Sequence, residues 1–243
     1  MLRWLPIFFL FGMSFGVKAQ NEPTDVPEKT IPEYRFNVGC GQSLEGNTQF
    51  ANLSLHKDLL NFKEEKILIG MGLRGFITDT KNVGFTTAHA DIKKNASDVD
   101  TMLVKRVQAG SINLFLNAEY KLTKRIYVGG TLDFIGFSGG LDYEGDFKPG
   151  PTSQSDNHLA QNTIDIYPTA ANAFGLRNAK GTLQAGVFVR LQVHRKVGIG
   201  LGLSHVTQEF STDLGYGSNQ AYRFENRSWA YMASLCFNRF DEK

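Results

Sequence analysis

The chain has 243 residues, with 26 Lys and Arg against 24 Asp and Glu. That length suits one all-β domain, and so balanced a charge argues against a nucleic-acid binder, which needs a basic surface to neutralise phosphates. Twenty-five glycines and 12% aromatic residues, in a chain with weak helical patterning, point to strands.

Residues 1–19 read as a secretory signal. Arg3 gives the positive start, Trp4 to Val17 is apolar, and Val17-Lys18-Ala19 sets small residues three and one positions before a cut at Gln20. The apolar run falls short of the roughly twenty residues that a membrane helix needs. No cysteine stands at the cut, so a lipid-anchored lipoprotein is not expected. Loss of Arg3 and Lys18 takes the 26 basic residues to 24, level with the 24 acidic ones. No other stretch is apolar for long enough to make a membrane helix. Residues 20–33 are polar with three prolines, an extended periplasmic lead-in to a barrel over 34–240.

Alternation of apolar and polar residues then sets in, the signature of strands with two differently solvated faces. In the first segment Tyr34, Phe36, Val38 and Cys40 alternate with Arg35, Asn37, Gly39 and Gly41. Ala51, Leu53 and Leu55 carry the second; Ile67, Ile69, Met71 and Leu73 the third; Ile112 to Tyr120 the fourth. Ile126, Val128, Leu132 and Phe134 mark the fifth, and Leu183 to Val193 the sixth. In the seventh, Val197, Ile199, Leu201 and Leu203 alternate with Gly198, Gly200, Gly202 and Ser204. The eighth runs through Trp229, Tyr231, Ala233, Leu235 and Phe237. Short polar turns join the segments at Asn61 to Glu64, Thr123-Lys124 and His194 to Lys196. Longer links are expected over 79–105, 139–180 and 211–222, with a short one near 44–48. Short turns at one end and long loops at the other predict an eight-stranded antiparallel up-and-down transmembrane β-barrel.

Face chemistry decides which side is wet. Were the apolar face inside, the surface would be Gly70, Gly72, Gly198, Gly200, Gly202, Ser204 and Ser234, whereas soluble surfaces are rich in Lys and Glu. Small residues fit the crowded interior of a small barrel. Tyr34, Phe62, Tyr120 and Phe237 fall near the short-turn end, and Phe134, Phe137 and Trp229 toward the other, as two membrane-interface girdles. Cys40 shares a face with Val38 and Cys236 with Ser234, so the two thiols should lie on opposite sides of the wall and stay free.

The segments FNVGCGQSLEGNTQFANLSLHKDLLNF and RIYVGGTLDFIGFSGG resemble small outer-membrane β-barrel proteins, especially the outer membrane protein β-barrel domain proteins typical of Bacteroidetes. The resemblance covers about residues 34–239 and is one of pattern, with no invariant functional motif. It implies the bacterial outer membrane and the outer-membrane assembly machinery as a partner. Such barrels often end on an aromatic residue, but here Phe237 and Phe240 are followed by Asp241-Glu242-Lys243.

Candidate chemistry is sparse. Gly70-Met71-Gly72-Leu73-Arg74-Gly75 spells G-x-G-x-x-G, yet alternation runs straight through it, so strand glycines explain it better than a nucleotide-binding turn. On the polar face, Arg74 with Asp133 and Arg190 with Glu119 lie at matching heights and are expected to pair in the lumen, where a lone charge is costly. Eight strands leave an interior that side chains fill, so these pairs are read as a plug ahead of a gate. Ser204 and His205 point to opposite faces, and no serine–histidine–acid set is evident, so an enzyme is not expected. Asp142, Glu144 and Asp146 lack the spacing of a dedicated calcium loop. In the 139–180 link, Tyr143, Phe147, Tyr167 and Phe174 could pack over the barrel mouth, and Lys93-Lys94 with Lys105-Arg106 could meet lipopolysaccharide phosphates. The expected role is structural or surface-interacting through the extracellular loops. A narrow small-solute pore is the alternative, and a lipid-modifying membrane enzyme the third reading. No cofactor or metal is expected; the partners would be the lipid bilayer and lipopolysaccharide, with an unknown extracellular ligand, for a chain that acts as a monomer.

Overall fold

The computed structural model describes residues 34–62, 66–88, 99–150, 163–173, 181–216 and 220–239. The signal at 1–19, the lead-in at 20–33, Lys93-Lys94, Phe174 and Phe240 lie outside the described residues. Among the described residues, eleven strands form one antiparallel sheet: β1 (Tyr34–Ser43), β2 (Thr48–Phe62), β3 (Ile67–Thr87), β4 (Thr101–Lys121), β5 (Ile126–Gly139), β6 (Tyr143–Lys148), β7 (Thr163–Pro168), β8 (Ala171–Ala173), β9 (Leu183–His194), β10 (Val197–Tyr216) and β11 (Gln220–Arg239).

Eight of these close a ring. β1 pairs with β2, β2 with β3, β3 with β4 and β4 with β5. β5 then pairs with β9, β9 with β10, β10 with β11, and β11 returns to β1. Side-chain oxygens tie the tight turns: Ser43 Oγ accepts from the Thr48 N–H at 3.0 Å, and Thr123 Oγ1 from the Ile126 N–H at 3.1 Å. Inward positions are small where strands crowd. A Cβ on Gly72 would lie 2.1 Å from the Leu55 carbonyl oxygen, so the G-x-G-x-x-G spelling sits within β3 as wall packing.

The ring is polar within and apolar without. Val187 (60% exposed), Leu201 (64%) and Ile112 (63%) face outward, while Arg74, Asn113 and Asp133 are buried inside. Cys40 is exposed on the outer wall and Cys236 buried in the lumen, both as free thiols.

The upper links differ from expectation. In place of loops over 79–105, 139–180 and 211–222, β3 continues to Thr87, β4 starts at Thr101, and β10 and β11 extend through Tyr216 and from Gln220. The 139–180 excursion supplies β6, β7 and β8. These extensions close a second, narrower ring above the first. β3 pairs with β4, β4 with β6, β6 with β7, β7 with β10, β10 with β11, and β11 directly with β3. β1 and β2 end below it, while β6 and β7 take the places of β5 and β9. Polarity reverses here, for Val83, Phe85, Met102, Phe147, Ile164, Ile166, Phe210, Tyr222 and Phe224 are buried in one inner core.

The reversal has a local cause. On β3 the buried positions are even-numbered up to Thr80 and odd-numbered from Val83; on β4 they are odd-numbered down to Val107 and even-numbered at Val104 and Met102. Lys81 pairs with Arg106, and the next pair is Val83 with Val104. Asn82, skipped between them, has φ of 49°, a left-handed conformation that asparagine tolerates better than most residues. One residue of slip on each strand turns the alternating pattern over.

At the junction of the rings β8 patches the wall against β5, pairing Asn172 with Gly136. Asn172 Oδ1 accepts from Ser138 Oγ at 2.6 Å and from the Thr182 N–H at 3.0 Å. Gly181 turns the chain into β9 with φ of 58°, and a Cβ there would lie 1.8 Å from Asn172 Oδ1.

Candidate functional site

The lumen is filled in layers, beginning at the short-turn end. Inward positions of β1, β2, β4 and β9 bring Arg35, Asp58, Glu119 and Arg190 together. Arg35 reaches Asp58 and Glu119 at 2.6 Å each, and Arg190 reaches the same Glu119 oxygen at 2.5 Å. These side chains are at most 5% exposed, so each charge depends on its partners instead of bulk solvent. Arg190 also stacks over the Tyr127 ring at 4.1 Å.

The next layer is built on Asp133, from β5. It accepts from Arg74 Nη1 at 2.9 Å, from Asn113 Nδ2 at 3.0 Å and from the Gln184 N–H at 2.9 Å. Gln184 donates to Ser204 Oγ at 2.8 Å and accepts from Arg74 at 3.2 Å. Arg74 lies 4.4 Å over Phe115. Between the two layers is a cavity of about 50 Å³, lined in part by His56, Asn117, Thr131 and Phe188. It has room for a few waters, each of which takes at least about 10–15 Å³ on this measure. His56 lies edge-on to Phe115, and its Nδ1 is 3.4 Å from Asn37 Nδ2.

Above, Phe50, Phe76, Val206 and Ala230 make an apolar layer. Thr80 donates to Gln208 at 2.9 Å, and Gln208 donates to Thr78 at 2.7 Å. The collar core closes the top. There Tyr222 donates to the buried Asp100 carboxylate, which also accepts from the Gly150 N–H at 2.7 Å.

The structure thus brings Arg74 to Asp133 and Arg190 to Glu119. Arg35 and Asp58 complete the lower cluster and were not assigned from sequence. Asp58 continues the inward even-numbered places of Asn52, Ser54 and His56 on β2, and the register shift that follows it leaves both Leu59 and Leu60 outside. Arg35 gave a signal, being a charge on the inward face without an assigned partner. Tyr34, Phe62, Tyr120, Trp229 and Phe237 are exposed on the outer wall. Phe134 is half-buried at a bulge in β5, and Phe137, 74% exposed, presents the larger surface there. Phe147 enters the collar core with Tyr143 packed against it, and Tyr167 donates to the Thr212 carbonyl at 3.4 Å. Ser204 is buried in the lumen, whereas His205, outside, meets the Trp229 ring at 5.2 Å.

No protein-family model matches the chain, and no curated protein does either. Among solved structures it is similar to the Yersinia pestis outer membrane protein Ail in a phospholipid bilayer nanodisc: 13% identity over 85% of this chain and 98% of that one, TM-score 0.34. The CymD monoaromatic hydrocarbon channel is 8% identical over 88% of this chain and 90% of its own, with a TM-score of 0.27. The Pseudomonas putida toluene transporter TodX is 9% identical over 86% and 91%, with a TM-score of 0.24. Scores this low carry neither a fold nor a functional reading, and both rest on the chain's own geometry.

Proposed function

We propose that this chain is a plugged barrel of the bacterial outer membrane, with a structural or surface-interaction role carried by its outward collar. The supporting observation is the layered filling of the lumen: charged network, amide network, apolar layer and collar core stand one above another, with a small cavity between the first two. A cavity of about 50 Å³ does not make a path for solutes. The lipid-facing assignment rests on the belt of exposed Leu, Val, Ile and aromatic side chains around a ring whose eight strands, among the described residues, each pair with a neighbour on both sides. Export by the 1–19 signal, handling by the assembly machinery and a monomeric state belong to the same reading. Lys105 and Arg106 are exposed just above the belt, at the height where lipopolysaccharide phosphates would lie.

Planar-bilayer recording of the purified, detergent-folded protein tests the plug. The expected trace has no stepwise conductance above baseline. Discrete steps that recur with protein concentration would replace the plug with the narrow solute pore.

A further inference from the structure

Among the described residues, the short-turn rim presents a run of exposed cations. The β4–β5 turn presents Lys124 and Arg125, the β9–β10 turn Arg195 and Lys196, and β11 ends on Arg239, all exposed. They form one continuous arc, because the Arg125 carbonyl accepts from the Gln192 N–H and the Lys196 carbonyl from the Asn238 N–H. The arc lies just below the exposed aromatics Tyr34, Tyr120 and Phe237.

Where the arc meets the β1–β11 seam, the outer wall holds a groove of about 420 Å³ lined by Tyr34, Phe36, Leu55, Phe237, Asn238 and Arg239. Its size falls within the roughly 300–1,000 Å³ of ordinary ligand pockets. Its floor is aromatic and aliphatic, with Phe36 and Phe237 6.3 Å apart. Cations flank it, Arg239 on one side and Lys57 on the other, with the Lys57 ammonium 5.3 Å from the centre of the Tyr34 ring. An apolar slot on the membrane side of cations at headgroup height matches one amphiphile: an acyl chain joined to a phosphate.

We propose that the short-turn rim is a binding surface for anionic phospholipid, with the Tyr34–Phe237 groove taking an acyl chain and the Lys/Arg arc its headgroup phosphate. This rests on the membrane reading above, and it adds a leaflet and a lipid class to it. A few cations near a bilayer surface each add attraction to anionic lipid, and the effect is screened by salt.

The test uses the full chain folded into phosphatidylcholine bilayers that contain trace spin-labelled phosphatidylglycerol or spin-labelled phosphatidylcholine. The readout is the motionally restricted fraction of each lipid. Unboiled electrophoretic mobility is checked in every sample, so failure to insert counts against the membrane reading, and insertion without selectivity counts against this site alone. The expected preference for phosphatidylglycerol is about threefold or more at low salt, falling toward unity at high salt. In K124Q/R125Q/R195Q/K196Q it should fall close to unity, and K57Q/R239Q should remove part of it. Equal association of the two lipids with the wild-type chain, or a preference that survives the fourfold variant, would overturn the proposal. Retention of a soluble polyanion such as peptidoglycan fragments without lipid selectivity would assign the arc to that polymer instead.

Discussion

Glu119→Ala should destabilise the folded barrel by about 3–5 kcal/mol, the cost typical of removing one partner from a buried ion network. Glu119 Oε2 accepts from both Arg35 and Arg190, and no side chain in the group is more than 5% exposed. Without the carboxylate, Asp58 alone faces two buried guanidinium groups. Glu119→Gln keeps the shape and one acceptor while removing the charge, so it should fall between the wild type and the alanine variant. Urea titration of the protein folded in phospholipid vesicles, followed by tryptophan emission, measures both. A loss below about 1 kcal/mol for the alanine variant would mean that these charges are solvated in the manner of surface pairs.

Phe224→Ala should cost about 3–5 kcal/mol as well, by opening a cavity in a packed core. Phe224 is fully buried in the collar, 5.0 Å from the Tyr222 ring and 6.1 Å from Phe147. The damage should be local. Six strands build the collar core, and the eight-stranded ring below has its own lumen contacts. Amide exchange should therefore quicken at Val83–Phe85, Met102–Val104 and Tyr143–Phe147, while Leu201–Leu203 and Leu114–Leu116 stay protected. The unboiled protein should keep its fast mobility. Loss of protection throughout would mean that the rings unfold as one unit.

The lower ring was legible because its two faces meet different surroundings for ten residues at a time. Val197, Ile199, Leu201 and Leu203 against Gly198, Gly200 and Gly202 fix both the strand and the crowded inner side. The collar hid itself for a physical reason. Val83 and Phe85, or Tyr222 and Phe224, also alternate with their neighbours, but their apolar members face the inside of a narrower ring. The change of phase at Asn82 and at Lys105-Arg106 breaks the period-two pattern where a reader would place a loop. β6 and β7, at six residues each, and β8, at three, are too short to register as spanning strands. In the lumen, heights counted from the turns relate Arg74 to Asp133 and Arg190 to Glu119. Asp58 escaped because the apolar alternation of β2 lapses beside it: Lys57 stands where the next outward apolar residue would be, and Leu59-Leu60 then breaks the period, although Asp58 keeps the inward parity of Ser54 and His56. Asn172, which reaches into the wall from β8, could be placed only once the excursion was seen to return to β5.

The central claim is a reversal of polarity along single strands, with lipid outside the lower ring and water outside the collar. Spin labels on Leu201→Cys, in the belt, and on Glu144→Cys, on the outer face of β6, test it in a C40S/C236S background. The protein is folded in phospholipid vesicles, and relaxation is compared between oxygen, which partitions into lipid, and a water-soluble nickel chelate. The account predicts oxygen-dominated relaxation at 201 and chelate-dominated relaxation at 144. A label at 201 that the chelate reaches as readily as the one at 144 would contradict it, and would make the apolar face something other than a membrane surface.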